Sequence, residues 1–100
     1  MDKDELIKAL EKKLIKEGLL IEAGWQSFKL ISISPLASQQ QLDSMRVAFF
    51  AGSQHLFGTV MSMLDPGEDA TQADLIRMDQ IDAELKRFIE EYKRANNLEI

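Results

Sequence analysis

The chain contains no cysteine, and this absence excludes three kinds of chemistry at once. Disulfide frameworks, zinc sites built on thiolates and cysteine nucleophiles all need that side chain. A chain without disulfides is compatible with a reducing compartment. With 100 residues, of which 45% are hydrophobic, the chain is large enough for one compact core and too small for a second. We therefore predict a single helical domain over residues 1–100.

Long apolar runs are also missing from the sequence. No segment approaches the roughly 20 consecutive apolar residues that a membrane-spanning helix needs. The first five residues, Met1 to Glu5, are mostly charged, and the apolar block of a signal peptide does not follow them. We therefore expect neither membrane insertion nor secretion.

Basic charge is scarce, and the net charge of −5 is unevenly distributed. Residues 1–17 hold five basic and five acidic groups, whereas residues 65–100 hold five basic and ten acidic groups. The stretch between them, residues 18–64, holds only four charged side chains, namely Glu22, Lys29, Asp43 and Arg46. Nucleic acids are bound by concentrated basic patches, and the sequence supplies none. We predict no nucleic-acid partner.

Residues that could carry catalysis or bind a metal are few and poorly placed. His55 is the only histidine, and its neighbours on the same helical face, Gly52 and Thr59, offer no acid to orient it. Asp79 and Asp82 lie one helical turn apart, but the Glu-x-x-His pattern of helical di-metal sites is absent. No glycine spacing typical of a phosphate-binding loop occurs. We predict that the chain is not an enzyme and needs no metal or cofactor.

Apolar periodicity predicts an all-α fold, with three to four helices in a compact bundle around a long central helix over about residues 38–64. The first helix has apolar residues at three- and four-residue spacing, namely Leu6, Ile7, Leu10, Leu14 and Ile15, and we expect it to end at Gly18. A second stripe contains Ile21, Trp25, Phe28 and Ile31. Residues 25–33 also have a composition that suits a strand, but we favour a helix that ends before Pro35.

The long central helix has too many apolar residues for a single stripe. One row contains Phe49, Leu56, Val60 and Met63, and a second row beside it contains Phe50, Phe57, Met61 and Leu64. The remaining side is small and polar, and includes Ala48, Gly52 and His55. A helix with this much apolar surface must be covered on at least two sides, either by the other helices or by a second subunit. With only three short helices available, we favour self-association.

Gly52 lies inside this helical pattern, where a glycine costs about 1 kcal/mol relative to alanine. Its spacing from Ala48 predicts a face without bulk, at which a neighbouring helix approaches closely. The candidate interaction and packing residues are therefore Phe49, Phe50, Gly52, Leu56, Phe57, Val60 and Met61.

The last third of the chain predicts a turn followed by an amphipathic helix. Residues 65–69 contain Pro66 and Gly67 and lack the ligand pattern of a calcium loop. The helix is expected to begin at Thr71, with Asp74 in the position of a capping-box partner. Its apolar positions follow a seven-residue repeat, which contains Leu75, Met78, Ile81 or Asp82, Leu85, Phe88 or Ile89, and Tyr92. Ion pairs four residues apart are predicted for Asp82 with Lys86 and Glu90 with Arg94.

Four stretches of the chain resemble a pattern in small uncharacterised proteins encoded by phages and prophages of bacteria. They are Met45 to Gly52, Gln54 to Phe57, Met63 to Gly67 and Arg77 to Leu85, and the resemblance spans roughly residues 20–90. It brings no catalytic residues to transfer. It implies a helical protein in the cytoplasm of a bacterial host cell, with a role in a phage programme and a phage or host protein as a partner.

Two hypotheses of function follow from these patterns. In the first, the protein acts through protein–protein contacts, as a homo-oligomer or as a small assembly or accessory factor, and uses the weakly charged central helix. In the second, it is an acidic regulatory module that caps or inhibits a host protein through the last helix, where Asp74, Asp79, Asp82 and Glu84 mimic a polyanion. Salt separates them, because added salt weakens charge mimicry far more than apolar contact.

Overall fold

A computed structural model describes residues 2–64, 66–67 and 69–97. Within these ranges the chain forms four α-helices and no strand: α1 (Lys3–Lys16), α2 (Leu20–Ser32), α3 (Gln39–Met63) and α4 (Gln72–Ala95). The predicted all-α class and the long third helix are confirmed, and residues 25–33 are helical up to Ser32. Asp65 and Glu68, which belong to the predicted turn, lie outside the described residues.

Gly18 ends the first helix as predicted, because its backbone adopts φ of +81°, which a side chain would disfavour. The amide of Gly18 donates to the carbonyl of Ile15 at 3.0 Å, and the amide of Leu19 donates to the carbonyl of Leu14 at 2.8 Å. These two bonds form a Schellman motif, which satisfies carbonyls that the last helical turn leaves without partners. The chain then enters α2 after a connection of three residues, and α1 packs against α2.

The connection between α2 and α3 is fixed at both of its ends. Ile33 leaves the helix in an extended conformation, two residues before Pro35. Ser38 and Gln41 then form a capping box, in which the Gln41 amide donates to Oγ of Ser38 at 3.1 Å and the Ser38 amide donates to Oε1 of Gln41 at 2.8 Å. The first residue of α3 is therefore set by its own sequence.

The predicted cap of α4 is present. The Asp74 amide donates to Oγ1 of Thr71, and the Thr71 amide donates to Oδ2 of Asp74, each at 3.1 Å. Arg77 approaches Oδ1 of Asp74 at 3.6 Å and also donates to the carbonyl of Met63, at the last residue of α3. The predicted pair of Asp82 and Lys86 is present at 2.8 Å.

The residues cluster into two compact units, Met1–Gly58 and Thr59–Ile100. In the first unit, the buried apolar residues among those described are Ile7, Ala23 and Trp25. In the second unit, the buried described residue is Asp74 of the helix cap. The assignment of the whole chain to one domain stays a prediction. No helix in the described part of the chain is long and apolar enough to cross a membrane.

Candidate interaction surface

Phe49 attaches α3 to α2 through a cluster of three aromatic rings. The ring centroids of Phe49 and Trp25 are 5.8 Å apart, as are those of Phe49 and Phe28. Trp25 is only 3% exposed, whereas Phe28 keeps 43% of its surface in solvent. Tilted ring pairs at these distances add about 0.5–1.5 kcal/mol each beyond simple burial. Of the seven candidate residues, Phe49 is the one that belongs to this three-ring cluster.

Gly24 makes the close approach that the sequence analysis predicted at Gly52. A Cβ atom at Gly24 would lie 3.3 Å from Cζ of Phe49, so the absence of a side chain makes room for that ring. A Cβ atom at Gly52 would meet no described atom of this chain within 4 Å. The predicted close contact at Gly52 is therefore not made within the described part of the chain.

Arg46 links the same two helices by charge. Its Nη1 atom donates to both carboxylate oxygens of Glu22, at 2.8 Å to Oε1 and 2.5 Å to Oε2. Its guanidinium carbon lies 4.6 Å from the ring centroid of Phe50, within the range of a cation–π contact. The hydrogen bond to Glu22 raises the pKa of Arg46 above its ordinary value. Two of the four charges in residues 18–64 thus neutralise each other.

An open groove of about 590 Å³ lies beside this attachment, between the end of α2 and the first half of α3. It is lined by uncharged residues alone, among them Phe28, Ile33, Leu36, Gln41, Met45 and Ala48. Leu36 is 92% exposed at the rim, on a turn in which its amide donates to Oγ of Ser34 at 3.1 Å. Exposure of so large an apolar side chain beside an apolar groove is typical of a contact site.

The small side of α3 forms one wall of this groove through Ala48, and Gly52 continues that side one turn further on. Both residues are exposed. Because no described atom of the chain fills the space above Gly52, a helix from another molecule has room to approach the α3 backbone there. We call Ala48, Gly52 and the groove residues beside them the α3 face.

The other candidate residues of α3 are also incompletely covered, and α3 buries none of its residues. In the first unit, Phe50 is half-buried beneath Arg46, while Leu56 and Phe57 are exposed, Phe57 by 66%. In the second unit, Val60 is half-buried and Met61 is exposed. The two apolar rows that the sequence predicted to be covered on two sides are therefore left largely in solvent by the residues that the structure describes.

The acidic residues of α4 do not form one continuous surface. Asp74 is only 4% exposed and its carboxylate is occupied by the helix cap and by Arg77, so it is not available to mimic a polyanion. Asp79, Asp82 and Glu84 are exposed. Helix α4 as a whole holds six acidic and five basic side chains, so most of the negative excess lies outside it. Glu90, predicted to pair with Arg94, lies 3.5 Å from Nζ of Lys93.

His55 is exposed on the small side of α3. The described residues contain no group of three or more histidine and carboxylate side chains arranged to hold a metal ion.

Comparison of the chain with protein-family models, curated proteins and solved structures gives no match.

Three features of this surface were not predicted from the sequence. Gly24 carries the same signal as Gly52, a glycine inside an apolar helical stripe, and the cost of about 1 kcal/mol for such a glycine predicts a packing reason at both positions. Ser38 and Gln41 carry the spacing of a capping box, which fixes where α3 begins. The groove itself has no local signal, because it is formed by residues from two helices and the turn between them.

Proposed function

We propose that this protein acts by contact with other proteins, as part of a homo-oligomer or as a small assembly or accessory factor, and that the α3 face is its contact site. The observation that supports this role most strongly is the uncharged groove beside the open surface at Gly52. A phage or prophage programme in a bacterial cell is the setting that we propose for this role, on the basis of the sequence resemblance.

The electrostatics of the first unit favour an apolar partner. Glu22 and Arg46 are paired with each other, and Asp43 accepts a hydrogen bond from Gln39 at 2.8 Å. A partner that covers the groove therefore strips water from few unpaired charges, which keeps the desolvation cost low. The size and lining of the groove suit an apolar helix or a cluster of apolar side chains.

The acidic-module hypothesis receives less support from the geometry. It needs a dense negative surface on α4, yet Asp74 is buried in the cap and Asp82 is paired with Lys86. The lack of enzymatic activity stays a prediction. A His55→Ala variant that folds normally but loses an activity of the wild-type chain would contradict it.

A photo-crosslinking experiment in the natural host cells tests the proposed contact. A benzophenone side chain replaces His55, which lies on the small side of α3, and in a control chain it replaces Gln54, which is exposed on a different side. We expect the probe at position 55 to give one dominant product, either a dimer or a complex with one other protein. The control should give little of that product.

Two glycine variants make the test specific for the α3 face. Gly52→Leu fills the space above the backbone and should abolish the product from position 55, whereas Gly58→Leu is a matched change at a second exposed glycine with no described atom near its Cβ position. Equal products from both probes, or a product that survives Gly52→Leu, would overturn the proposal.

A further inference from the structure

Helix α4 presents an apolar face that the described residues of its own unit do not cover. Among its residues only Asp74 is buried, and its large apolar side chains are exposed by 39% to 64%, except for the half-buried Ile81. The face follows the heptad positions Leu75, Met78, Asp82, Leu85, Ile89 and Tyr92, with Phe88 beside them. Phe88 and Tyr92 stack on each other, with ring centroids 6.4 Å apart, yet both remain more than half exposed.

The charges along α4 are separated by sign. From Gln72 to Leu85 the helix carries four acidic side chains and one basic side chain, whereas from Lys86 to Ala95 it carries four basic and two acidic side chains. The first half of the helix is therefore negative and the second half is positive. A surface with this polarity is complementary to a copy of itself that runs in the opposite direction, and repels a copy that runs in the same direction.

From this complementarity we infer that α4 pairs with α4 of a second copy of the chain in an antiparallel coiled coil. The inference goes beyond the proposed function, because it concerns α4 rather than the α3 face, so either can fail alone. With Leu75 and Ile89 at positions a and with Met78 and Tyr92 at positions d, one antiparallel register brings Leu75 opposite Tyr92 and Met78 opposite Ile89 of the second copy.

The flanking charges select the antiparallel direction. In this heptad Asp79 and Lys86 occupy neighbouring e positions, from which side chains reach across to the partner helix. In the antiparallel register, Lys86 of one copy lies beside Asp79 and Asp82 of the other, and the same contact repeats across the two-fold axis. A parallel pair would instead place Asp82 at an a position opposite Asp82 of the second copy, and would bring these two like charges together in the seam.

Asp82 lies at a position of the seam that is usually apolar. Its Oδ2 atom is 2.8 Å from Nζ of Lys86 on the same helix, and this hydrogen bond raises the pKa of Lys86 above its ordinary value. A single polar residue at such a position fixes register and orientation at some cost in stability. Asp82 thus favours a register in which Lys86 of the second copy also lies nearby.

The absence of cysteine makes the orientation directly testable by introduced disulfides in the full chain. Met78→Cys and Ile89→Cys chains are mixed in a glutathione redox buffer, and each is also incubated alone. We expect the mixture to link position 78 of one chain to position 89 of the other in good yield. Met78→Cys alone should form little dimer, since equivalent residues are far apart in an antiparallel pair. Efficient linking of Met78→Cys to itself would overturn the antiparallel arrangement.

A charge variant supplies a second, independent measurement. Lys86→Glu should weaken self-association in sedimentation equilibrium by about tenfold or more, because it places like charges beside Asp79 and Asp82 of the second copy. Arg87→Glu, on the outer side of the helix, makes the same charge change and should have a much smaller effect. Circular dichroism verifies that both variants remain helical.

The outcomes separate this inference from the proposed function. A chain that dimerises while the mixed cysteine variants do not link, and while Lys86→Glu has no effect, contradicts pairing through α4 and leaves the α3 face as the contact site. A chain that links through α4 while the probe at position 55 finds no partner supports the coiled coil and contradicts the proposed α3 contact.

Discussion

Helices α3 and α4 are almost equal in length, at 25 and 24 residues, but they expose apolar surface in different ways. Helix α3 carries two charged side chains and α4 carries eleven. The α3 face has little charge and consists of a groove and of Gly52, whose Cβ position has no described atom nearby. The face of α4 is flanked by charges that discriminate between directions of approach. An apolar surface without charges accepts partners in many orientations, whereas flanking charges select one direction of approach.

The largest effect is expected at the ring that attaches α3 to α2. Phe49→Ala removes the centre of the aromatic cluster and should lower the free energy of unfolding by up to about 3 kcal/mol, the lower end of the range for buried phenylalanines, because Phe49 is half-buried. Phe57→Ala, on the same helix but 66% exposed, should cost less than about 1 kcal/mol under the same conditions. Urea denaturation followed by tryptophan fluorescence measures both. Equal losses would show that α3 is not attached mainly through Phe49.

The contrast between Phe49 and Phe57 also shows which features could be predicted from the sequence and which could not. The helix types, the end at Gly18 and the cap at Thr71 were all predictable, because each depends on residues within a few positions of one another. Which apolar residue of α3 would contact Trp25 was not predictable, since that depends on how two separate helices meet. The close contact at Gly24 rather than Gly52 was missed for the same reason.

The second-largest effect is expected at the start of α4, where the carboxylate of Asp74 contacts groups of its own chain rather than a partner. Asp74→Ala removes a capping-box side chain and the neighbour of Arg77, and should lower the free energy of unfolding by about 1–2 kcal/mol. Asp74→Asn retains an acceptor oxygen and should lose less. If thermal melts show no loss for Asp74→Ala, the buried carboxylate does not stabilise the helix, and the case against acidic mimicry loses that support.

A series of glycine variants measures the difference between covered and open surface within the first unit. Gly52→Ala and Gly58→Ala meet no described atom and should each raise the free energy of unfolding, by up to about 1 kcal/mol. Gly24→Ala should gain less or lose stability, since its Cβ atom would press against Phe49. These values are measured at one protein concentration, because self-association adds to apparent stability. A gain at Gly24 as large as that at Gly58 would contradict the close packing.

The smallest effect is expected for the charged link between α2 and α3. Arg46→Ala should lower the melting temperature slightly, because the Arg46 side chain keeps 43% of its surface in solvent and salt screens its attraction to Glu22. Glu22→Gln should lower it by a similar amount, and the double variant should lose little more than either single variant. Fully additive losses in this double-mutant cycle would show that the two side chains do not act as a pair.

If a second copy of the chain covers the apolar surface that α4 leaves in solvent, the protein must self-associate, and light scattering across a concentration series measures this association. We expect a mass that rises above the monomer value of 11.4 kDa toward twice that value, and that persists in high salt, since the buried surface is mainly apolar. A mass that stays at 11.4 kDa up to the highest concentration would contradict self-pairing through α4.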